Sequence, residues 1–360
     1  MVSFETHRIS LLGPSLENSS PIARFFEKTQ WDNVTCRLCP HQCSIAPSRS
    51  GTCGVRTNRG GELQVDNYGK ITSLEGVYSE DLPLFHYKPE IDWLRLSGKG
   101  CTMRCPFCNT FRFSQTGGIR SVPMSPAEAV AKAIEARCRG ISFGVNEPAP
   151  MHEYIYDVFV AARAAGLSTH IATSGMWMPD PLREILSVTD AVTLGLKGLN
   201  DRFHQTYLGA DKHTIISNLD QMLAINLHTE ISWLVIPTQT DSMGQAQELV
   251  SFLKSRGQSP PILLIPYTPD FTWVDAGHAA TLQDLLNFKA CFDNYPGPRY
   301  CIHPESLDLN TRCAKCGRTL IRRGLARAVV TAFPQTGKAK DQCPGCAAKV
   351  PYTIDIPQKR

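Results

Sequence analysis

The sequence predicts an α/β fold: a partial (β/α)6 barrel over residues 89–300, with a cysteine-rich appendage at 1–88 and a four-cysteine module at 301–360. Three observations predict it. From residue 91 onward short apolar runs alternate with amphipathic stretches, the pattern of buried parallel strands joined by helices. Six such units fit in about 200 residues, too few for a closed eightfold barrel of about 250. The 14 cysteines fall into three groups, leaving only Cys138, Cys291 and Cys301 as singles.

In chain order, a short helix is expected around Ile22–Lys28, and residues 62–78 read as short strands of the appendage. Strands are expected at Ile91–Leu96, Ile141–Val145, Thr169–Ala172, Ala191–Leu196, Glu230–Ile236 and Ile262–Ile265. The helix Ala127–Arg139 has Ser125 as cap, Pro126 in its first turn and Glu128 beside the helix dipole. The next helix, His152–Ala165, is stopped by Gly166. Further helices are expected at 181–187, 214–226, 244–256 and 280–292.

Composition narrows the function. Hydrophobic residues make up 42% and charged ones 19%, enough for a sizeable core and against wholesale disorder. A net charge of +4 is too small to argue for nucleic acid. No run approaches the roughly 18 apolar residues of a membrane helix, and the first thirty residues lack a signal-peptide core. The expectation is a cytoplasmic protein with no membrane partner, whose Cys-x-x-Cys spacings bind metal rather than form disulfides.

The central group, Cys101-Thr-Met-Arg-Cys105-Pro-Phe-Cys108, follows a strand directly. Four-iron clusters ordinarily take four thiolates, so three on one loop leave one iron open to chelate a small molecule. A structural zinc site would want a fourth ligand, and none lies near this loop. The spacing resembles the radical S-adenosylmethionine (radical SAM) superfamily. That resemblance implies a 4Fe-4S cluster on Cys101, Cys105 and Cys108, reductive cleavage of S-adenosylmethionine (SAM), and a 5′-deoxyadenosyl radical that abstracts hydrogen. It also implies that Phe107 lies against the adenine. Asn146-Glu147-Pro148, Thr173-Ser174-Gly175, Lys197-Gly198 and Ile236-Pro237-Thr238 follow successive strands. They resemble SAM-pocket motifs of the pyruvate formate-lyase activating enzyme-like branch, with Glu147 holding SAM and Asn146, Thr173, Ser174 and Lys197 completing the pocket.

The flanking cysteines sharpen the likeness. Cys36-x-Leu-Cys39-Pro-His-x-Cys43, Gly51-x-Cys53-Gly-Val-Arg56, Pro83-Leu-Phe-His86 and the Cys-x2-Cys…Cys-Pro-x-Cys tail together resemble the radical SAM enzyme of the AmmeMemoRadiSam system, from about residue 34 to 355. Three positions depart from that pattern: Gly195 stands for an Asp, Leu263 for a His and Ser174 for an Asn. Radical chemistry with an altered pocket is the reading. Cys313, Cys316, Cys343 and Cys346 form two knuckles with the spacing of a zinc ribbon, and Zn2+ leads an auxiliary iron–sulfur cluster there. Cys36, Cys39, Cys43 and Cys53 admit zinc, mononuclear iron or a second iron–sulfur cluster, with a structural metal ahead and His41 outside the ligand set. Arg318, Arg322, Arg323 and Arg327 read as a solvated face. The singles Cys138 and Cys291 read as small buried hydrophobes, and Cys301 has no assignment.

The leading function is thus radical generation and hydrogen abstraction from a substrate at the barrel mouth. The activating-enzyme likeness favours a protein glycine, with RNA or a small molecule compatible, and flavodoxin or ferredoxin as electron donor. The rival is a zinc-dependent RNA- or protein-binding module with a degenerate barrel. Brown, iron-bearing protein would favour the enzyme and colourless zinc protein the module.

Overall fold

The computed structural model describes residues 20–89, 91–116, 118–275, 277–306, 308–323, 328–330 and 342–348. At its centre is one sheet of eight strands: β1 (Ser73–Tyr78), β2 (Asp92–Ser97), β3 (Gly140–Phe143), β4 (Ser168–Thr173), β5 (Ala191–Leu196), β6 (His228–Val235), β7 (Ile262–Pro266) and β8 (Arg299–Cys301). Their spatial order follows the chain. β2 to β8 are parallel throughout, and β1 lies antiparallel on the outer edge of β2. A largely parallel sheet is the α/β architecture the alternating pattern implied. One of its strands was not foreseen and another was expected elsewhere. β8 has only three residues, too few to show a period, and β1 belongs to the main sheet although it sits in the stretch read as appendage.

Among the described residues the six helices of eight residues or more connect the parallel strands: α1 (Pro126–Glu135), α2 (His152–Ala164), α3 (Pro179–Leu186), α4 (Lys212–Ala224), α5 (Met243–Ser255) and α6 (Leu282–Ala290). Their starts are set by local chemistry. Ser125 and Glu128 form a reciprocal capping box ahead of Pro126, and Thr281 and Asp284 repeat it for α6. Asp211 caps α4 by accepting from the His213 and Thr214 N–H groups. The α1 helix stops at Glu135, short of Arg139, where Arg137 turns left-handed at φ 57°.

Strand residues on both faces are buried at the middle of the sheet; all four of β3 are. A Cβ on Gly140 would stand 2.3 Å from the Trp93 ring, so glycine is what lets β2 and β3 pack there. The segment Pro83–His86 lies against the sheet. The Phe85 and His86 N–H groups donate to the fully buried Glu230 at 2.8 and 2.7 Å, and His86 Nε2 reaches the Tyr300 hydroxyl at 2.8 Å.

The chain ahead of the sheet forms small antiparallel units. Phe26–Lys28 pairs with Val34–Cys36, which pairs with Ser44–Ile45; Arg56–Arg59 pairs with Glu62–Val65. The helix expected at 22–28 does not form: its last three residues are a strand, because pairing with Cys36, ten residues from Phe26, outweighs a weak local preference. After the sheet, Thr311–Arg312, Thr319–Arg323 and Ala328–Val330 form a three-stranded antiparallel unit. Arg323 is buried, not solvated: its guanidinium bonds the Thr311 hydroxyl and the Leu309 and Phe85 carbonyls, and lies 4.3 Å from the Phe85 ring centre. Arg318 and Arg322 are exposed, while Arg327 falls outside the described residues.

Candidate active site

Because β2 to β7 run the same way, the segments that follow them meet at one edge of the sheet. There a cavity of about 330 Å³ is lined by Cys101, Cys105, Phe107, Cys108, Asn146, Glu147, Thr173, Ser174 and Lys197, among others. These nine residues therefore share one space, whereas Ile236-Pro237-Thr238, the motif after β6, does not line it.

The cysteine loop leaves β2 and is pinned from several sides. Met103 N–H donates to Cys101 Sγ at 3.3 Å, and Arg104 N–H to the Leu208 carbonyl at 2.8 Å. Gln115 Nε2 donates to the Cys105 carbonyl at 2.9 Å, while Thr272 and Trp273 N–H groups both reach the Pro106 carbonyl. Burial pushes the Cys101 thiol up to about 12, with the nearby Glu147 charge adding to it. Burial also raises Cys105, to about 11, against the pull of the Lys197 ammonium. Metal loading must release these protons, so a positive charge on the same wall assists it.

Val145, leading into the next motif, sits at φ 72°, a costly conformation for a β-branched residue, about 1–3 kcal/mol. Its carbonyl accepts from the Thr110 hydroxyl at 3.1 Å, and Asn146 Nδ2 donates to the Gly100 carbonyl at 2.8 Å. Those two bonds tie the end of β3 to the cysteine loop. The turn aims Glu147 inward.

The Glu147 carboxylate, 6% exposed, accepts four hydrogen bonds. Oε1 takes the Thr173 hydroxyl at 2.6 Å and the Ala149 N–H at 3.2 Å; Oε2 takes the Ser174 N–H at 2.8 Å and its hydroxyl at 2.6 Å. Thr173 Oγ1 itself accepts from Gly175 N–H and Trp177 Nε1, at 3.1 and 2.9 Å, so its only proton points at Glu147. Ser174 keeps a hydroxyl on this carboxylate. Gly195 lines the cavity, whereas Leu263 is fully buried beside Phe85 and Tyr300.

Phe107 packs in an aromatic group invisible to motif reading: Phe203 stacked at 6.3 Å, Tyr267 edge-on at 6.0 Å and Trp273 at 5.4 Å. These rings come from two stretches far from Phe107 in the chain, one at 203 and one at 267–273. Thr193 and Ser232, on β5 and β6, also line the cavity. Lys197 forms no ion pair or hydrogen bond among the described residues. Three soft thiolate donors with no fourth among the described lining residues, a carboxylate and a free ammonium suit a cluster of iron and sulfide beside a zwitterionic ligand.

Residues 96–250 match the model of the Radical SAM superfamily. That match covers the middle of the chain, and the curated proteins similar to it include pyruvate formate-lyase activating enzymes. The uncharacterized protein MJ0808 of Methanocaldococcus jannaschii is 28% identical over 338 residues, 92% of this chain and 99% of that protein. The pyruvate formate-lyase 1-activating enzyme of Escherichia coli is 29% identical over 195 residues, 52% of this chain and 79% of that enzyme. A domain of the pyruvate-formate lyase-activating enzyme from Bacteroides vulgatus aligns with a TM-score of 0.40 at 17% identity, covering 45% of this chain and 98% of that one. Streptococcus suis SuiB bound to S-adenosylmethionine aligns at 0.47 and 15% identity, covering 62% and 53%.

The C-terminal cysteine group is also gathered. The sulfurs of Cys313, Cys316, Cys343 and Cys346 all lie within 4.8 Å of one another, an arrangement that could hold a metal ion. Both knuckles have the same turn: Gly317 N–H returns to the Cys313 carbonyl and Ala347 N–H to that of Cys343. The N–H of Cys316 leads in drawing the Cys313 thiol down to about 6. Cys36, Cys39, Cys43 and Cys53 are electrostatic neighbours in the N-terminal unit. The His41 ring is bonded elsewhere, its Nε2 on the Thr102 carbonyl at 2.6 Å. Among the singles, Cys138 and Cys301 are buried and Cys291 half-buried.

No helix among the described residues is long and apolar enough to cross a membrane.

Proposed function

We propose that this protein is a radical SAM enzyme, a partial barrel of six strand–helix units that binds a 4Fe-4S cluster on Cys101, Cys105 and Cys108 with SAM beside it. The observation that carries this is the convergence of three thiols, Glu147, Lys197 and Phe107 on one cavity. When bound and reduced by a single-electron donor such as flavodoxin or ferredoxin, the cluster supplies the electron that splits SAM into methionine and a 5′-deoxyadenosyl radical for hydrogen abstraction. Glu147 faces the SAM ammonium. Its four acceptor positions are filled, so the ammonium takes the place of the Ser174 hydroxyl, which can rotate away without moving backbone. Lys197 faces the SAM carboxylate, and Phe107 backs the adenine. Thr173 holds Glu147 in place, and Asn146 holds the cysteine loop.

The cavity is at the small end of cofactor pockets, roughly 300–1,000 Å³. With SAM inside, the substrate reaches in from the mouth, as a backbone segment can. This supports a glycine on a protein partner, in keeping with activating-enzyme relatives. The C-terminal group holds structural Zn2+. Zn–S bonds of about 2.3 Å in a tetrahedron put sulfurs roughly 3.7–3.8 Å apart, and Cys313–Cys346 and Cys316–Cys343 stand at 3.7 and 3.6 Å.

Anaerobically reconstituted protein given dithionite and SAM should release 5′-deoxyadenosine. Replacing Cys101, Cys105 and Cys108 with alanine should abolish it. Wild-type protein whose cysteine loop takes up no iron would overturn the reading.

A further inference from the structure

We propose that Cys36, Cys39, Cys43 and Cys53 hold a second iron–sulfur cluster, built against the loop that carries Cys101. The first observation is spacing. The C-terminal sulfurs all lie within 4.8 Å of one another, and among the described residues no other group of three or more His, Cys, Asp or Glu side chains is that compact. The N-terminal four nevertheless sit on neighbouring backbone: the Cys36 N–H donates to the Cys43 carbonyl and the Gln42 N–H to the Cys39 carbonyl, both at 3.0 Å, and Thr52, next to Cys53, lies on Cys43 Sγ. A single zinc draws its sulfurs together; a cluster of several irons takes thiolates on its outer corners and spreads them. This separates the two four-cysteine groups, and it reverses the lean toward a structural metal that spacing in sequence suggested.

The second observation is what faces the sulfurs. Backbone N–H groups of Leu38, His41 and Val55 point at Cys36, Cys39 and Cys53, and that of Thr52 lies 3.4 Å from Cys43 Sγ. Arg56, 1% exposed, pairs through Nη2 with buried Glu153, yet its Nε and Nη1 have no hydrogen-bond partner. Cys36 and Cys53 are the cysteines acting on that guanidinium. Buried donors are rarely left unmatched, and sulfide or thiolate sulfur of an anionic cluster would match these.

The third observation is contact. A Cβ on Gly100 would meet the Cys53 carbonyl at 2.8 Å and Val55 Cγ2 at 2.7 Å, and His41 Nε2 bonds the Thr102 carbonyl. Gly100 and Thr102 flank Cys101, so the two metal-binding loops share a wall. The N-terminal assignment stands without the radical reading; only the closeness of two clusters rests on it.

The experiment is anaerobic reconstitution of full-length protein with iron and sulfide, followed by metal analysis and low-temperature electron paramagnetic resonance. Wild type should hold about eight irons and the C101A/C105A/C108A variant about four, with matching sulfide, given four-iron clusters at both sites. Adding C36S and C39S to that variant should remove the remainder. Zinc in place of iron in the C101A/C105A/C108A protein, or a colourless product, would overturn the proposal. Four irons in wild type, all retained in that variant, would sink the radical reading and leave this one standing. In doubly loaded, dithionite-reduced wild type the spectrum should not equal the sum of the two single-cluster spectra; simple additivity would refute the shared wall.

Discussion

Glu147→Gln tests the centre of the site with the smallest change of shape. The amide nitrogen must replace one carboxylate oxygen. On the Oε1 side it would meet the Ala149 N–H and the Thr173 hydroxyl. That hydroxyl cannot reverse, because its oxygen already accepts from Gly175 and Trp177. On the Oε2 side it would meet the Ser174 N–H, a donor that cannot turn at all. Either orientation sets donor against donor, leaving a buried group unmatched at about 1–3 kcal/mol. The variant also loses the charged partner of the SAM ammonium, a charge-assisted bond of about 1.5–3 kcal/mol, or roughly 10- to 150-fold in Kd. Equilibrium dialysis of labelled SAM against reconstituted protein reads the second effect and denaturant titration the first. Iron content should be unchanged, since Glu147 is not a cluster ligand. A variant that binds SAM within threefold of wild type, with full iron, would refute the role given to this carboxylate.

Other outcomes follow from the same geometry. Gly100→Ala puts a methyl into Cys53 and Val55 at a residue whose φ is +94°, so it should cost at least about 2 kcal/mol and lower iron uptake by the Cys101 loop. Zinc chelation should open the 311–323 strands to proteolysis while far-UV circular dichroism stays nearly constant, because the main sheet does not depend on that group. His170 is fully buried between the Ser142 and Thr193 hydroxyls, and burial lowers it to about 3. Between its ordinary value near 6.5 and that value the unfolded chain binds the proton and the folded chain does not. Stability should therefore fall with acidification across this window by about 1.4 kcal/mol per pH unit. His170→Gln should flatten that slope in denaturant titrations at pH 6.5 and 5; an unchanged slope would assign the acid sensitivity to other groups.

What the sequence disclosed was local. The cysteine loop, the Ser125 and Glu128 cap, and the residues ending each parallel strand are legible because their neighbours in space are neighbours in the chain. Glu147, Thr173 and Ser174 were legible a step further, since parallel strands carry their ends to one edge. The rest depends on contacts between distant segments. Arg56 and Glu153 are 97 residues apart, and nothing about either announces a buried pair. Arg323 looked like one of a basic run until Phe85 and Thr311 enclosed it. The rings around Phe107 share no period, and the strand at Phe26–Lys28 exists only because residues 34–36 return beside it.

The burial of Arg323 has a consequence for where this protein can be cut. Its guanidinium reaches from the C-terminal strands to the Phe85 carbonyl and ring, while Thr311 lies within 3.2 Å of His86. The late part of the chain thus latches a segment that precedes the first parallel strand. A fragment ended near residue 300 would expose Phe85 and Tyr300 and leave His86 with one partner fewer. The middle of this chain is therefore not a cassette: a transplant or truncation that respects the sheet must carry both flanks with it.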